Sequence, residues 1–188
     1  MLNQISPSKS QPKTEDAVDL LTGCHDRIRH FTGVAVKLAH AQAAAAEEVV
    51  RAAAGVHRYY SVSLPLHEAD EEESLRPRLN DIGDDRISHA LLAMSDQHMA
   101  IDDLLERLLP LLVMVRNNPR TLQAAGAEMC AVTNALNEMF HAHLQMEEEV
   151  IFPAIRGSLP QSAQEDMLEE MRERRKQKLN ATVRAPKG

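Results

Sequence analysis

The amino-acid sequence predicts an all-α protein: an up-down-up-down four-helix bundle followed by a short C-terminal helix. Aromatic residues make up only 3% of the chain, tryptophan is absent, and helix-forming residues prevail over β-branched ones. Apolar residues recur at alternating spacings of three and four through several long stretches, as on one face of a helix. Turn sequences separate these stretches, and helices of similar length with short connections favour an antiparallel bundle.

The bounds of the helices follow from the apolar periodicity and from its interruptions. The first helix is predicted over residues 15–42, the second over about 46–76 and the third over about 87–115. The fourth is predicted over about 122–156 and the C-terminal helix over about 161–177. Turn sequences at 80–85, 117–120 and 157–160 separate the last four helices. Pro65 and Pro110 are predicted to kink the second and third helices.

The chain is predicted to form one folded domain with polar ends. Its 188 residues are enough to bury one sizeable core. Residues 1–14 are polar and predicted to be a disordered N-terminal lead, and residues 15–157 are predicted to form the bundle. Residues 158–188 then comprise the short helix and a basic tail.

Charge and composition exclude several classes of function. The chain has 21 Lys+Arg against 28 Asp+Glu, and this net charge of −7 argues against nucleic acid or an anionic membrane as partner. No apolar run reaches the roughly 18 residues of a membrane span, and the N-terminus lacks the apolar region of a signal peptide. Two cysteines cannot form a disulfide framework, so we expect a cytoplasmic protein.

The sequence contains an internal repeat. Residues 67–79 align without gaps on residues 143–155, and both copies have the pattern His-x-x-x-Glu-Glu-Glu-x-apolar-x-Pro-x-apolar. A helix with one well-placed histidine, His25 or His98, precedes each copy. The bundle is therefore predicted to be a duplicated helical hairpin.

Six polar side chains are predicted to meet in one layer of the core. A histidine and a glutamate four residues apart share one helix face, which pairs His67 with Glu71 and His143 with Glu147. His25 and His98 lie within the apolar stripes of their helices. Residues equally distant from a turn lie at the same height. The position midway along the chain between His67 and His98 is 82/83, and that between His98 and His143 is 120/121. Both positions lie within or beside turn sequences, so the three histidines should lie at the same height. The first midpoint, residue 46, places the weakly marked first turn near 42–45.

The other candidate residues are predicted to lie outside this layer. Exposed positions are expected for four histidines, His30, His40, His89 and His141, and a surface or neighbouring position for His57. The remaining glutamates of the repeats, Glu72, Glu73, Glu148 and Glu149, should form a solvated face, with one or two of them beside the layer. Cys24 and Cys130 are interpreted as small core residues, and the basic residues at 172–178 as a solvated helix end.

Two buried carboxylates without partners are costly, and metal binding would compensate for them. Two metal ions bridged by both glutamates use this donor set better than a single ion does. Two iron ions have about six coordination positions each, of which the histidines and bridging carboxylates fill eight. An oxo or hydroxo bridge fills two more, leaving about two for a small ligand. Imidazole and carboxylate donors without thiolate favour iron, with manganese and zinc as alternatives.

The order and spacing of these residues resemble the hemerythrin-like (HHE cation-binding) domain over about residues 15–157. The resemblance rests on His25, on the repeat motif beginning at His67, on His98, and on the second repeat motif from His143 to Pro153. It implies a four-helix bundle around a non-haem, carboxylate-bridged diiron centre. The four histidines would be terminal ligands, and Glu71 and Glu147 the bridges.

Two positions depart from the pattern of the dioxygen carriers in that family. Those carriers have a second histidine four residues after the third-helix histidine, where this chain has Asp102. Glu68 follows His67, where close relatives often have a second histidine and some iron-sensing members have this glutamate. Both residues are further candidate ligands, and reversible dioxygen carriage is therefore in doubt.

Three functions remain open from the sequence. The first is binding of dioxygen, nitric oxide or iron, for sensing, storage or stress protection. The second is a diiron enzyme (an oxidase, peroxidase-like or nitric-oxide-reducing) or a protein that repairs iron centres. The third is a metal-free helical interaction protein, in which the six polar residues form an ordinary hydrogen-bonded seam.

Overall fold

A computed structural model describes residues 15–184, with side chains up to residue 181, and these residues form five helices without a strand. Helix α1 is Ala17–Ala39, and α3 is Asp85–Asn117. Helix α2 runs without interruption over residues 46–80, and α4 over 119–158. Helix α5, Gln161–Arg184, is longer than the sequence predicts. The predicted N-terminal lead, residues 1–14, lies outside the described residues.

The three connections that join α1, α2, α3 and α4 in order lie where the sequence predicts them. Residues 40–45 join α1 to α2, which agrees with the turn inferred from the midpoint of two histidines. Asp16 caps α1, accepting a hydrogen bond from the backbone N–H of Asp19, and Asp84 caps α3 in the same way. Gly83 has a φ of 72° just before that cap, a conformation that glycine adopts without strain.

The core consists of two apolar clusters with the polar layer between them. One cluster includes Ile28, Leu64, Ile101 and Phe140. The other includes Leu21, Leu75, Met94 and Ile151, each from the same helix as one member of the first cluster. On every helix the candidate metal ligands fall between these two sets of residues, so the site is enclosed by packed side chains above and below.

Helices α2 and α4 contain three π-helical segments, two of which lie in the repeat motif. The π segments are Tyr59–Ser63 and Asp70–Leu75 in α2 and Glu147–Ile151 in α4. Each ends two residues before a proline: Pro65, Pro77 or Pro153. Proline lacks an N–H and clashes with the carbonyl four residues earlier, and a wider turn relieves that clash. Helix α3, in contrast, continues through Pro110 as an α-helix.

Two of these π segments begin at or beside a bridging candidate. The backbone carbonyl of Glu71 accepts a hydrogen bond from the N–H of Arg76, and that of Glu147 accepts one from Phe152. These are bonds between residues five apart, and they occupy equivalent positions in the two repeats. The repeated proline therefore gives both glutamates the same local backbone.

Helix α5 packs against the bundle through one part of its length, and residues 176–181 near its end are exposed. Met167, Leu168 and Met171 are buried in the second apolar cluster. Arg174 and Arg175 form ion pairs with Asp70, which is fully buried. The interpretation of the basic residues at 172–178 as only a solvated helix end is therefore incomplete, because two of them compensate a buried charge.

Candidate metal centre

Each of the four bundle helices contributes one histidine to a buried polar layer. Helices α2 and α4 also contribute one glutamate each, one turn after the histidine. These six residues are at most 8% exposed: His25, His67, Glu71, His98, His143 and Glu147. The structure thus brings together all six residues that the sequence places in one layer.

The six residues form two groups that share both carboxylates. His25 and His67 form one group with Glu71 and Glu147, and His98 and His143 form the other with the same two glutamates. Within each group the nitrogen and oxygen atoms all lie within 4.8 Å of one another. The layer therefore contains two adjacent groups of donors, each able to hold a metal ion.

The oxygens of each glutamate divide between the two groups. Glu71 places Oε1 2.9 Å from His67 Nε2 and Oε2 3.1 Å from His98 Nε2. Glu147 places Oε2 3.0 Å from His25 Nε2 and Oε1 3.5 Å from His143 Nε2. This is the arrangement of a carboxylate that binds one metal ion with each oxygen.

The donor atoms fit metal coordination better than they fit mutual hydrogen bonding. Two donors bound to one ion at right angles, at about 2.1 Å each, lie about 3 Å apart, close to the separations observed. Among the described residues, the Nε2 atoms of His25 and His67, Oε1 of Glu71 and both oxygens of Glu147 have no hydrogen-bond partner. Buried polar atoms without partners are costly, and metal ions would satisfy them.

Three of the four histidines have a hydrogen-bond partner at Nδ1, the ring nitrogen on the side away from the glutamates of the layer. Glu148 Oε1 lies 2.8 Å from His25 Nδ1, and Glu72 Oε1 lies 3.1 Å from His98 Nδ1. Both glutamates directly follow a bridging candidate, so the two repeats supply equivalent partners. Such partners fix the orientation of a ligating imidazole and raise its basicity. The sequence prediction that one or two of these glutamates lie beside the layer is confirmed for Glu72 and Glu148.

The partner of His143 was missed from the sequence. Gln97 Oε1 lies 3.1 Å from His143 Nδ1. Gln97 directly precedes His98, but no pattern distinguishes it from other polar residues of α3. Its role depends on how α3 and α4 face each other.

The electrostatics of the layer couple the histidines to the glutamates. Burial raises the pKa of Glu71, but the positive charges and contacts of His67, His98 and His143 outweigh this and hold that pKa well below its usual range. Burial lowers the pKa of His98, but its hydrogen bond to Glu71 and the nearby carboxylates raise it to about 9. For His143, burial prevails and the pKa is lowered.

Glu68 and Asp102 line a narrow cavity next to the layer. Glu71, His98 and Phe140 also line this cavity, whose volume is about 10 Å³. Asp102 is exposed and Glu68 half-buried, and neither belongs to the two groups of donors. The structure places both candidate ligands at the mouth of the site.

The other histidines lie outside the layer. His30, His40, His89 and His141 are exposed, as predicted, and His57 is partly buried. Cys130 packs against the apolar core. Cys24 is buried, but its sulfur contacts Arg27 and Arg175 and therefore has a more polar environment than a small core residue.

A comparison with protein-family models matches residues 16–128 to the hemerythrin HHE cation-binding domain. The chain belongs to this family. The matched residues of the HHE domain include His25, His67, Glu71 and His98. His143 and Glu147 lie beyond the match, so their place in the site rests on the structure. No curated protein sequence matches the chain. None of the helices in the described part of this HHE domain is long and apolar enough to cross a membrane.

Proposed function

We propose that the protein is a hemerythrin-like non-haem diiron protein that binds a small ligand at its metal pair. One iron ion would be held by His25 and His67, the other by His98 and His143, with Glu71 and Glu147 bridging them. The observation that supports this most directly is the division of each carboxylate between the two groups of donors. A seam of ordinary hydrogen bonds would leave fewer buried atoms without partners.

The donor set supports iron as the resident metal. Each group offers two imidazole nitrogens and two carboxylate oxygens, and no cysteine belongs to either group. Nitrogen and oxygen donors without thiolate suit iron, with manganese and zinc as alternatives. Four protein donors per ion leave coordination positions for a small ligand. When bound, an iron pair supplies reversible one-electron chemistry and affinity for diatomic molecules.

The surroundings of the site favour a small, uncharged ligand. The cavity beside His98 has space for about one molecule of the size of water. Its mouth carries the carboxyl groups of Glu68 and Asp102, which repel anions and attract metal cations. Dioxygen and nitric oxide meet both conditions, and iron itself could enter along the same acidic path. Sensing, iron storage or stress protection are roles consistent with such binding.

The experiment that tests this proposal is metal quantification combined with optical spectroscopy. The full chain is purified without metal, loaded with ferrous iron under anaerobic conditions, and analysed before and after addition of dioxygen or nitric oxide. We expect about two iron ions per chain and a spectral change with at least one of the two gases. Binding should also raise the melting temperature, because the metal binds only the native state. Less than about one metal ion per chain would refute the proposal.

A further inference from the structure

A second cavity lies on the other side of the His67 ring. It has a volume of about 220 Å³, far more than the roughly 30 Å³ that one water molecule occupies. Helices α1, α2 and α5 all contribute to its wall. The polar residues that line it are Cys24, Arg27, Tyr59, Ser63, His67 and Arg175. Two cationic side chains and two hydroxyl groups therefore face one space next to a candidate metal ligand.

His67 differs from the other three histidines of the layer. Its Nε2 faces Glu71 and its Nδ1 is buried, and besides the glutamates the polar neighbour of the ring is the thiol of Cys24, with no nitrogen or oxygen of the described residues bonded to Nδ1. The corresponding atoms of His25, His98 and His143 are held by Glu148, Glu72 and Gln97. A ligating histidine nearly always donates this second N–H to an acceptor. Behind His67 the described residues offer only a weak acceptor, the sulfur of Cys24, which also lines the cavity.

The charge of the cavity favours an anion. Arg27 Nη2 lies 3.2 Å and Arg175 Nη2 3.4 Å from the sulfur of Cys24. Asp70 compensates Arg175 through an ion pair of 2.6 Å, whereas within residues 15–181 Arg27 forms no ion pair. Among these residues no carboxylate therefore compensates Arg27, which is exposed and whose described partner is the sulfur of Cys24. A guanidinium group binds carboxylates and related planar oxyanions through two parallel hydrogen bonds.

We propose that this cavity binds a small monovalent oxyanion of the carboxylate or nitrite type, held by Arg27 and Arg175 and accepting a hydrogen bond from Nδ1 of His67. Tyr59 and Ser63 offer further hydroxyl donors at the wall. The volume accommodates an anion of a few atoms together with water. The anion would take the place that protein side chains occupy behind the other three histidines.

Such an anion would be coupled to the metal pair. A hydrogen-bond acceptor behind a ligating imidazole raises its basicity and strengthens metal binding, and binding of metal and anion would then favour each other reciprocally. This coupling rests on the proposed function. The binding of the anion does not, because Nδ1 of His67 and both arginines are present in the metal-free protein.

The test uses formate as the probe. Metal-free full-length protein, with histidines labelled with ¹⁵N, is titrated with sodium formate at constant ionic strength, and with sodium chloride as a control. We expect saturable binding of formate and a shift of the His67 signals. Arg27→Gln should weaken binding about tenfold or more, because it removes a charged hydrogen bond. Arg51→Gln, at an exposed arginine of α2 away from the cavity, should leave it unchanged.

Several outcomes would overturn the inference. Equal responses to formate and chloride would indicate only charge screening, and equal affinities of Arg27→Gln and the unmodified protein would place the anion elsewhere. Arg175→Gln provides a second variant, which should also weaken binding. Repeating the titration on iron-loaded protein separates the two proposals. Formate binding without any metal binding would sustain the anion site and refute the diiron proposal.

Discussion

Replacing Glu148 with alanine should weaken metal binding without removing a metal ligand. Glu148 Oε1 lies 2.8 Å from His25 Nδ1 and 2.7 Å from Arg29 Nη2, so it holds the imidazole from behind while being anchored itself. Its side chain is 34% exposed, and its removal should not disturb the packing of the core. The effect should therefore appear in metal affinity rather than in folding.

The expected magnitude follows from the geometry. Loss of the partner behind a ligating histidine typically reduces metal affinity 10- to 100-fold, which corresponds to about 1.4–2.7 kcal/mol. Glu148 shares one oxygen between His25 and Arg29 and is partly exposed to water, which can replace it as an acceptor. We therefore expect a loss near the lower limit, about tenfold. Glu148→Gln keeps a hydrogen-bond acceptor and should lose less than Glu148→Ala.

The assay is a competition titration between the protein and a chelator of known affinity. Glu149→Ala is the matched control, because it removes the same charge from the next residue, whose described contact is only with Gln145. Glu72→Ala should resemble Glu148→Ala, since Glu72 holds His98 in the equivalent position of the other repeat. Equal affinities for the Glu148 and Glu149 variants would refute the reasoning that the partner of His25 supports metal binding.

Three further predictions concern the ligands, the docking of α5 and the pH dependence of stability. His143→Ala should abolish binding of at least one metal ion, measured by elemental analysis, whereas His89→Ala at an exposed position should not. Equal losses of metal in the two variants would contradict the prediction that His143 faces the site and His89 does not. Asp70→Ala should lower the free energy of unfolding by about 3 kcal/mol, because it removes the fully buried partner of two partly buried arginines and leaves only Arg174 with a second ion pair, to Glu73. Urea denaturation measures this loss, and a change below about 1 kcal/mol would show that the ion pairs contribute little. The pKa of His98 is raised to about 9, so its stabilisation of the metal-free fold should be complete below pH 6.5 and be lost as the pH rises through 9. The melting temperature should therefore fall over this range, and more steeply in the original protein than in His98→Gln.

Much of the site could be predicted because the bundle is antiparallel and its helices are regular. The spacing of four between His67 and Glu71 determines that both share a face, whatever they pack against. Equal distances from the turns determine the height of each histidine, and this even located the first connection, which has no glycine or proline. The gapless repeat predicted a duplicated hairpin, and in the structure the second glutamates of the two motifs, Glu72 and Glu148, occupy equivalent places.

The π segments show where regular periodicity is insufficient. The sequence predicts kinks at Pro65 and Pro110; the structure has a π segment just before Pro65, whereas α3 stays α-helical through Pro110. Local sequence identifies the missing N–H of proline, but not how the neighbouring turns redistribute their hydrogen bonds. That redistribution depends on packing against the other helices.

The sequence alone determined the helical class, the antiparallel order of the four bundle helices and the six residues of the polar layer. These follow from local periodicity and from spacing within single helices. Only the tertiary structure decided which atoms meet across helices. It divided the oxygens of Glu71 and Glu147 between two groups, placed Gln97 behind His143, and brought Arg175 of α5 beside Cys24 and Asp70. Contacts between distant segments depend on the rotation and crossing of whole helices, which the apolar pattern constrains too loosely to identify individual partners.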